Sequence, residues 1–291
     1  MARLAYLGTP ELAVAPLEAL VEAGHQVVQV VSRPDRRRGR GSGLSPSPVK
    51  EAALRLGLAV SDRLDDLATS PAELAVVVAY GRLVPAVLLE RLPMVNLHFS
   101  LLPRWRGAAP VERAILAGDE VTGVCAMALE AALDTGPVYR RTTVPIEPGE
   151  HLAPLRHRLV QLGSGLLVDL LADGLEGLPE PEPQQGEATY AEKIDPAELE
   201  LAWAAPAEQL ARVVRLDRAW TTLSGRRLRV LEAQPTAETV QLEPGQVAGE
   251  LVGTGQGLLR LVRVQPEGKA PMAAADWVRG ARLATVDRLG S

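Results

Sequence analysis

Three short apolar runs, Ala2 to Leu7, Val27 to Val31 and Leu74 to Ala79, constrain this chain more than any other feature. Each is too short for a buried helix and is bounded by turn residues, so each reads as a buried strand. Between the first two, Gly8-Thr9-Pro10 makes a tight turn. Glu11 to Ala23 then carries helical apolar spacing, and Gly24 ends that helix as a C-cap. Strand, helix and strand in this order open a parallel sheet.

The first turn holds a single glycine and no G-x-G-x-x-G, so a dinucleotide cofactor is not supported. The architecture is Rossmann-like without that fingerprint. A helix follows from Val49 to Leu56. The run Leu74 to Ala79 leads out through Tyr80-Gly81-Arg82-Leu83, at the sheet edge where open α/β folds bind ligands.

The chemistry concentrates in Val95-Asn96-Leu97-His98-Phe99-Ser100-Leu101-Leu102-Pro103. In an extended segment Asn96 and His98, two apart, point to one side. A carboxamide and an imidazole there can both donate to a single oxygen. Asn96 is the only asparagine in the chain. Taken singly, Asn96 caps a turn and His98 is a satisfied core histidine; together, before a Leu-Leu-Pro turn, they favour a site. Thr122 to Leu129 reads as a further strand, and Leu133-Asp134-Thr135-Gly136 follows it. Asp134 either makes an Asx-turn or brings its carboxylate to the rim that holds His98. Ser100 has no nucleophile elbow, so no covalent triad is expected.

Composition narrows the rest. At 291 residues, 47% of them hydrophobic, two domains with ample core are expected. No apolar run is long enough to span a membrane, and no secretory leader is visible. The one cysteine, Cys125, excludes an internal disulfide and a cysteine-based zinc site, and fits a reducing cytosol. A net charge of −5 argues against indiscriminate coating of nucleic acid. Lysine occurs only at Lys50, Lys193 and Lys269, so arginine carries almost all positive charge. Residues Arg33 to Gly43, including Arg36, Arg37, Arg38 and Arg40, form a Gly- and Pro-containing basic stretch expected to be an open loop. It is either a solvated charge run or a phosphate-gripping loop.

Farther on, Leu152 to Leu171 is a long amphipathic helix. Pro179 to Gly186 reads as a stiff linker, with the linker region taken as 181–200 between domains 1–180 and 201–291. Beyond it come a helix, Trp203 to Leu216, and short runs at Arg227 to Leu231, Val247 to Val252 and Leu258 to Val264. That is the pattern of a small antiparallel, OB-like barrel.

The sequence resembles the methionyl-tRNA formyltransferase family along essentially its whole length. Gly8-Thr9-Pro10-Glu11, Pro46-Ser47-Pro48-Val49-Lys50 and Val78-Ala79-Tyr80-Gly81 carry part of the resemblance. Asn96 through Pro110 is its most specific block, with Leu133-Asp134-Thr135-Gly136 and Gln265-Pro266-Glu267-Gly268-Lys269 beyond. The chain departs from the family at Ser42-Gly43 and at the shortened Asp217-Arg218-Ala219-Trp220. The resemblance implies a Rossmann-like formyltransferase domain of α/β class with a parallel-rich sheet, followed by the OB-like barrel. It also implies 10-formyltetrahydrofolate as co-substrate, initiator methionyl-tRNA as partner, no metal, and a cytoplasmic monomer. It makes Asn96, His98 and Asp134 the catalytic set. The folate falls against Arg82, Leu83, Ser100, Leu101, Leu102 and Pro103, and the tRNA against Arg36, Arg37, Arg38, Arg40 and Lys193. In that chemistry the amine attacks the formyl carbon, Asn96 and His98 donate to the resulting oxyanion, and Asp134 fixes the tautomer of His98.

Two other readings stay open on the residues alone. One is a formyltransferase of another amine, such as a purine precursor or an amino-sugar nucleotide. The other is a non-catalytic nucleic-acid-binding relative.

Overall fold

The computed structural model describes residues 2–37, 43–281 and 288–291. The chain divides into two compact units. The first takes Met1–Val111, Val121–Pro145 and Arg156–Glu192; the second takes Glu112–Glu120, Ile146–Leu155 and Lys193–Ser291.

The chain starts as expected. Strand β1 (Arg3–Gly8), helix α1 (Val14–Glu22) and strand β2 (Gln26–Val31) make the βαβ unit, with β1 and β2 parallel. Within the basic stretch, Arg36–Arg37 forms a short strand rather than open loop, because β3 (Arg36–Arg37) and β4 (Leu44–Ser45) pair antiparallel. Arg38 and Arg40 lie outside the described residues. Helix α2 (Pro48–Arg55) starts on Ser47, whose hydroxyl accepts the Lys50 amide at 3.0 Å. A proline at the first helical position completes that start.

Next come β5 (Val60–Ser61), β6 (Leu74–Val78), α3 (Ala86–Arg91) and β7 (Met94–His98). Every residue of β6 and β7 is buried, as continuous apolar runs in a covered sheet require. The chain continues through β8 (Arg106–Gly107), α4 (Pro110–Ala117), β9 (Val121–Ala128), β10 (Val138–Pro145), α5 (Leu152–Leu171) and β11 (Tyr190–Ala191).

The central sheet of the first unit has the order β10-β9-β7-β6-β1-β2-β5. It is parallel from β5 to β7. Strand β9 runs antiparallel to β7, and β10 antiparallel to β9. The order steps outward from β1 through β2 to β5, then returns to β6 on the other flank. A crevice opens at such a reversal. Here the Thr9 hydroxyl spans it, donating to the Tyr80 carbonyl at 3.1 Å.

The Pro-rich stretch is not a free linker. Val138 and Glu182 exchange backbone hydrogen bonds of 2.7 and 2.9 Å, and β11 pairs in parallel with β8. The segment Arg156–Glu192 therefore belongs to the first unit, and its last crossing into the second falls at Glu192/Lys193 rather than at 180.

The second unit holds α6 (Ala207–Val214), β12 (Trp220–Leu223), β13 (Arg226–Thr236), β14 (Val247–Ala248), β15 (Leu251–Gly253), β16 (Leu258–Pro266), β17 (Met272–Ala273) and α7 (Ala274–Ala281). Helix α6 starts later than the Trp203 expected, because Pro206 biases Ala205 away from helical dihedrals. The sheet is antiparallel in the order β12-β13-β16-β15-β14. Leu289 bridges Leu223 of β12, and Arg288 bridges Gln246 beside β14. One short segment thus ties both ends of the sheet together, as a barrel demands. Leu210, Val214, Leu228, Val230, Leu259, Val264 and Trp277 fill its core. No helix among the described residues is long and apolar enough to cross a membrane.

Candidate active site

Strand β7 carries the two residues that the sequence singles out. Asn96 and His98 are 9% and 5% exposed and share one face of the strand. The carboxamide of Asn96 has no hydrogen-bond partner among the described residues. Beyond His98 the chain turns sharply, and this turn supplies the first partner of the imidazole. His98 Nε2 lies 2.8 Å from the Trp105 carbonyl oxygen. A carbonyl only accepts, so Nε2 carries the proton and donates. The tautomer of neutral His98 is therefore set by the Trp105 carbonyl rather than by Asp134, the residue expected to set it.

Asp134 arrives by a different route from the one expected. Strand β9 runs antiparallel, so Asp134 does not follow a parallel strand to a shared rim. It comes from the β9–β10 hairpin, in a left-handed conformation with φ 50°. Its Oδ2 accepts the Gly107 amide at 2.8 Å and faces His98 Nδ1 at 3.6 Å. That second distance is too long for a hydrogen bond. In the neutral tautomer, Nδ1 presents a lone pair to a carboxylate oxygen. Two acceptors face one another stably only when a proton or a substrate N–H lies between them. The pair is built to receive one.

Two glycines make this geometry possible. A Cβ on Gly107 (φ 123°) would meet the Ala191 carbonyl oxygen at 2.8 Å, and one on Gly136 would meet the Ala128 carbonyl oxygen at 1.8 Å. Neither position admits a side chain without moving backbone. Residues 184–191 lock the turn from the other side. The Thr189 hydroxyl accepts the Trp105 amide at 2.9 Å, and Gln184 Oε1 accepts from Arg106 Nε and Nη2 at 3.1 and 2.6 Å. The Arg104 guanidinium stacks over the Trp105 ring, 4.4 Å from its centroid.

The remaining expected residues divide. Arg82 and Leu83 stand exposed after β6, Leu83 at 77%. Leu101 and Pro103 are half-buried in the turn. Ser100 and Leu102 are not turned toward a ligand. Ser100 is fully buried and donates to the Arg104 carbonyl at 2.6 Å, while Leu102 packs with Cys125, Met127 and Val138. The pleat that aligns Asn96 with His98 ends at His98, and the turn rotates these two inward. Arg36 and Arg37 are exposed in the β3–β4 ladder, and Lys193 is exposed in the second unit. Trp105, Gly107, Gln184 and Thr189 were missed. They act through main-chain atoms, or come from a stretch that reads as linker.

Two titratable neighbours frame the site. Cys125 sits opposite His98 in the β7–β9 register, and burial pushes its thiol up, so it stays neutral. Burial also raises the Tyr80 hydroxyl at the crevice, against the opposing pull of the nearby Arg82 charge.

A carboxamide beside a histidine–carboxylate gap, with no nucleophile among them, is an arrangement that can serve direct transfer of an acyl group. The chain belongs to the formyl transferase family. Residues 2–171 match the family described as "Formyl transferase", and 193–282 match "Formyl transferase, C-terminal domain". It is 45% identical to the methionyl-tRNA formyltransferase of Roseobacter denitrificans, across 97% of this chain and 96% of that one. It is 44% identical to the methionyl-tRNA formyltransferase of Streptomyces coelicolor, across 99% of each. Among solved structures, its fold resembles an N-formyltransferase from Helicobacter canadensis in complex with folinic acid and dTDP-3-aminofucose. That match has a TM-score of 0.69 at 17% identity, covering 90% of this chain and 99% of that one. HypX from Aquifex aeolicus in complex with tetrahydrofolic acid matches with a TM-score of 0.65 at 16% identity, covering 95% and 47%.

Proposed function

We propose that this protein formylates the free amino group of initiator methionyl-tRNA with 10-formyltetrahydrofolate as donor. The observation that carries the reading is the His98–Asp134 pair facing across 3.6 Å beside Asn96, in a chain alike over its full length to methionyl-tRNA formyltransferases. Identity of 44–45% to methionyl-tRNA formyltransferases over nearly the whole chain favours a transfer-RNA acceptor over a small amine.

In this reading the amine nitrogen bonds to the formyl carbon as the bond from that carbon to N10 of the donor breaks. Asn96 donates to the formyl oxygen while it carries negative charge. His98 Nδ1 and Asp134 Oδ2 receive the proton that the attacking nitrogen loses and return it to the departing nitrogen. The exposed Arg82 and Leu83 and the half-buried Leu101 and Pro103 shape the donor's entry, and Ser100 and Leu102 hold the turn from within. Arg36, Arg37 and Lys193 meet phosphates. In the second unit, the Arg227 guanidinium lies over the Trp220 ring at 4.2 Å, a cationic and aromatic surface suited to a frayed nucleic-acid end.

The test is formyl transfer from 10-formyltetrahydrofolate to charged initiator tRNA, with charged elongator tRNA, a purine-precursor amine and an amino-sugar nucleotide in parallel. Transfer to initiator methionyl-tRNA above the others is expected. Preference for either small amine would overturn the acceptor, and no transfer to any would leave a non-catalytic relative.

A further inference from the structure

Gln184 lies in the Pro-rich stretch that reads as a spacer, yet its carboxamide is fully employed. Its Nε2 donates to the Asp134 carbonyl at 2.9 Å and to the Gly136 carbonyl at 2.8 Å. Its Oε1 accepts from Arg106 Nε at 3.1 Å and from Nη2 at 2.6 Å. Both N–H bonds of the amide and its oxygen are therefore committed to two loops.

Those two loops meet at one hydrogen bond, from the Gly107 amide to Asp134 Oδ2. Gln184 grips the residue before the donor and the residue that carries the acceptor. Such a grip fixes Asp134, whose left-handed backbone an aspartate tolerates better than most residues but still at some cost. The carbonyls that Gln184 holds flank Thr135, so the amide spans the turn that aims the carboxylate. The stretch itself is anchored nearby, by the Val138–Glu182 hydrogen bonds and by the β8–β11 pairing.

We infer that Gln184 is a positioning residue: it sets the distance and direction of Asp134 toward His98 Nδ1 and so governs the rate of proton transfer. This rests on the formyl-transfer reading above. The Gln184 amide is committed to the two loops, so its loss should lower kcat and spare binding. A displacement of about 1 Å in a catalytic group can cost on the order of 100-fold in rate.

Two variants separate the halves of the grip. Gln184→Glu keeps an acceptor for Arg106 and removes both donors toward the Asp134 turn; Gln184→Met removes both halves at similar volume. For folded enzyme, kcat is expected to fall about 10- to 100-fold in each, with KM for donor and acceptor within about threefold of wild type. Adding Asp134→Ala to Gln184→Glu should cost nothing beyond Asp134→Ala alone. A purely structural role would lower the melting temperature and the yield of active sites and leave kcat per site unchanged. Wild-type kcat in folded Gln184→Glu, or losses that multiply with Asp134→Ala, would overturn the assignment. Failure of both variants to fold would overturn it too, making the residue a stability element. All rates are ratios to wild type with whichever acceptor the enzyme turns over. A wrong acceptor would thus fail the functional reading while this test still stands.

Discussion

Among the described residues there are two histidine–aspartate pairs, and the tighter one is not at the candidate site. In the second unit, His151 Nδ1 and Asp217 Oδ1 stand 2.7 Å apart, with side chains 25% and 39% exposed. In the first, His98 and Asp134 stand 3.6 Å apart and are nearly enclosed, at 6% and 11%. The difference lies in what the other atoms do. Asp217 spends its second oxygen on the Ala153 amide at 3.1 Å, in the first turn of α5. The backbone around it is tied as well, since the Leu152 amide donates to the Arg215 carbonyl and Arg229 to that of Asp217. Every acceptor in that pair closes a fold contact, so it is a clasp. The His98–Asp134 pair keeps a gap with an acceptor on each side. A short hydrogen bond marks completed bonding, whereas a buried gap between acceptors leaves both atoms unengaged with each other.

The largest effect that this contrast predicts is on turnover. His98→Ala and Asp134→Ala should each lower kcat by about 10³-fold, within the usual range for a positioned acid–base group. Because the two share one proton, the double variant should be hardly slower than the worse single one. Losses that multiply would mean that the gap is not the working element. Asn96→Ala should cost about 10²–10³-fold in kcat, with donor affinity unchanged by calorimetry.

The clasp should behave oppositely. Asp217→Ala loses a helix-terminus acceptor and a left-handed residue (φ 64°), and should lower stability by about 1–2 kcal/mol in chemical denaturation. Asp217→Asn should recover most of it, since asparagine tolerates that backbone and still accepts from Ala153. Turnover of either folded variant should match wild type; a hundredfold loss would erase the distinction between clasp and site.

The smallest effect concerns a third histidine, one without an acid. His25 is 7% exposed, and its buried Nδ1 has no hydrogen-bond partner among the described residues. Burial lowers its pKa, so the folded state favours the neutral ring. The stability it contributes is present above the unfolded value of about 6.5 and is lost as pH falls through the lower folded value. His25→Gln should flatten that part of the stability–pH curve while His98→Ala leaves it in place. An unchanged curve in His25→Gln would assign the acid loss elsewhere.

How much of this was legible depended on where the information sits. Strands β1, β2, β6 and β7 were readable because burial on both faces leaves uninterrupted apolar runs. Strand β10 was not, since the exposed Arg140, Arg141 and Thr143 break the run. Asn96, His98 and Asp134 were legible as side chains with chemistry. The Trp105 carbonyl and the Gly107 amide were not, because every residue carries those atoms and only the fold selects among them. Ser100 was expected against the folate from the family resemblance alone, and only the fold shows its hydroxyl engaged by the Arg104 carbonyl. Residues 179–186 read as a linker because proline and glutamine suit a spacer and an ordered strap alike. Only their long-range partners tell the two apart.

The division of the chain has a consequence for anyone who would rebuild it. The backbone passes from one unit to the other at 111/112, 120/121, 145/146, 155/156 and 192/193. Exchanging the barrel for a module of different taste is therefore not a single-cut operation. A graft at the proline-rich stretch would strip Gln184 and Thr189 from the turn they hold. A graft at 192/193 would still leave behind residues 112–120 and 146–155, which belong with the departing part. Recombination that keeps both halves whole has to transplant three segments together, so the second unit is inherited as a set or not at all.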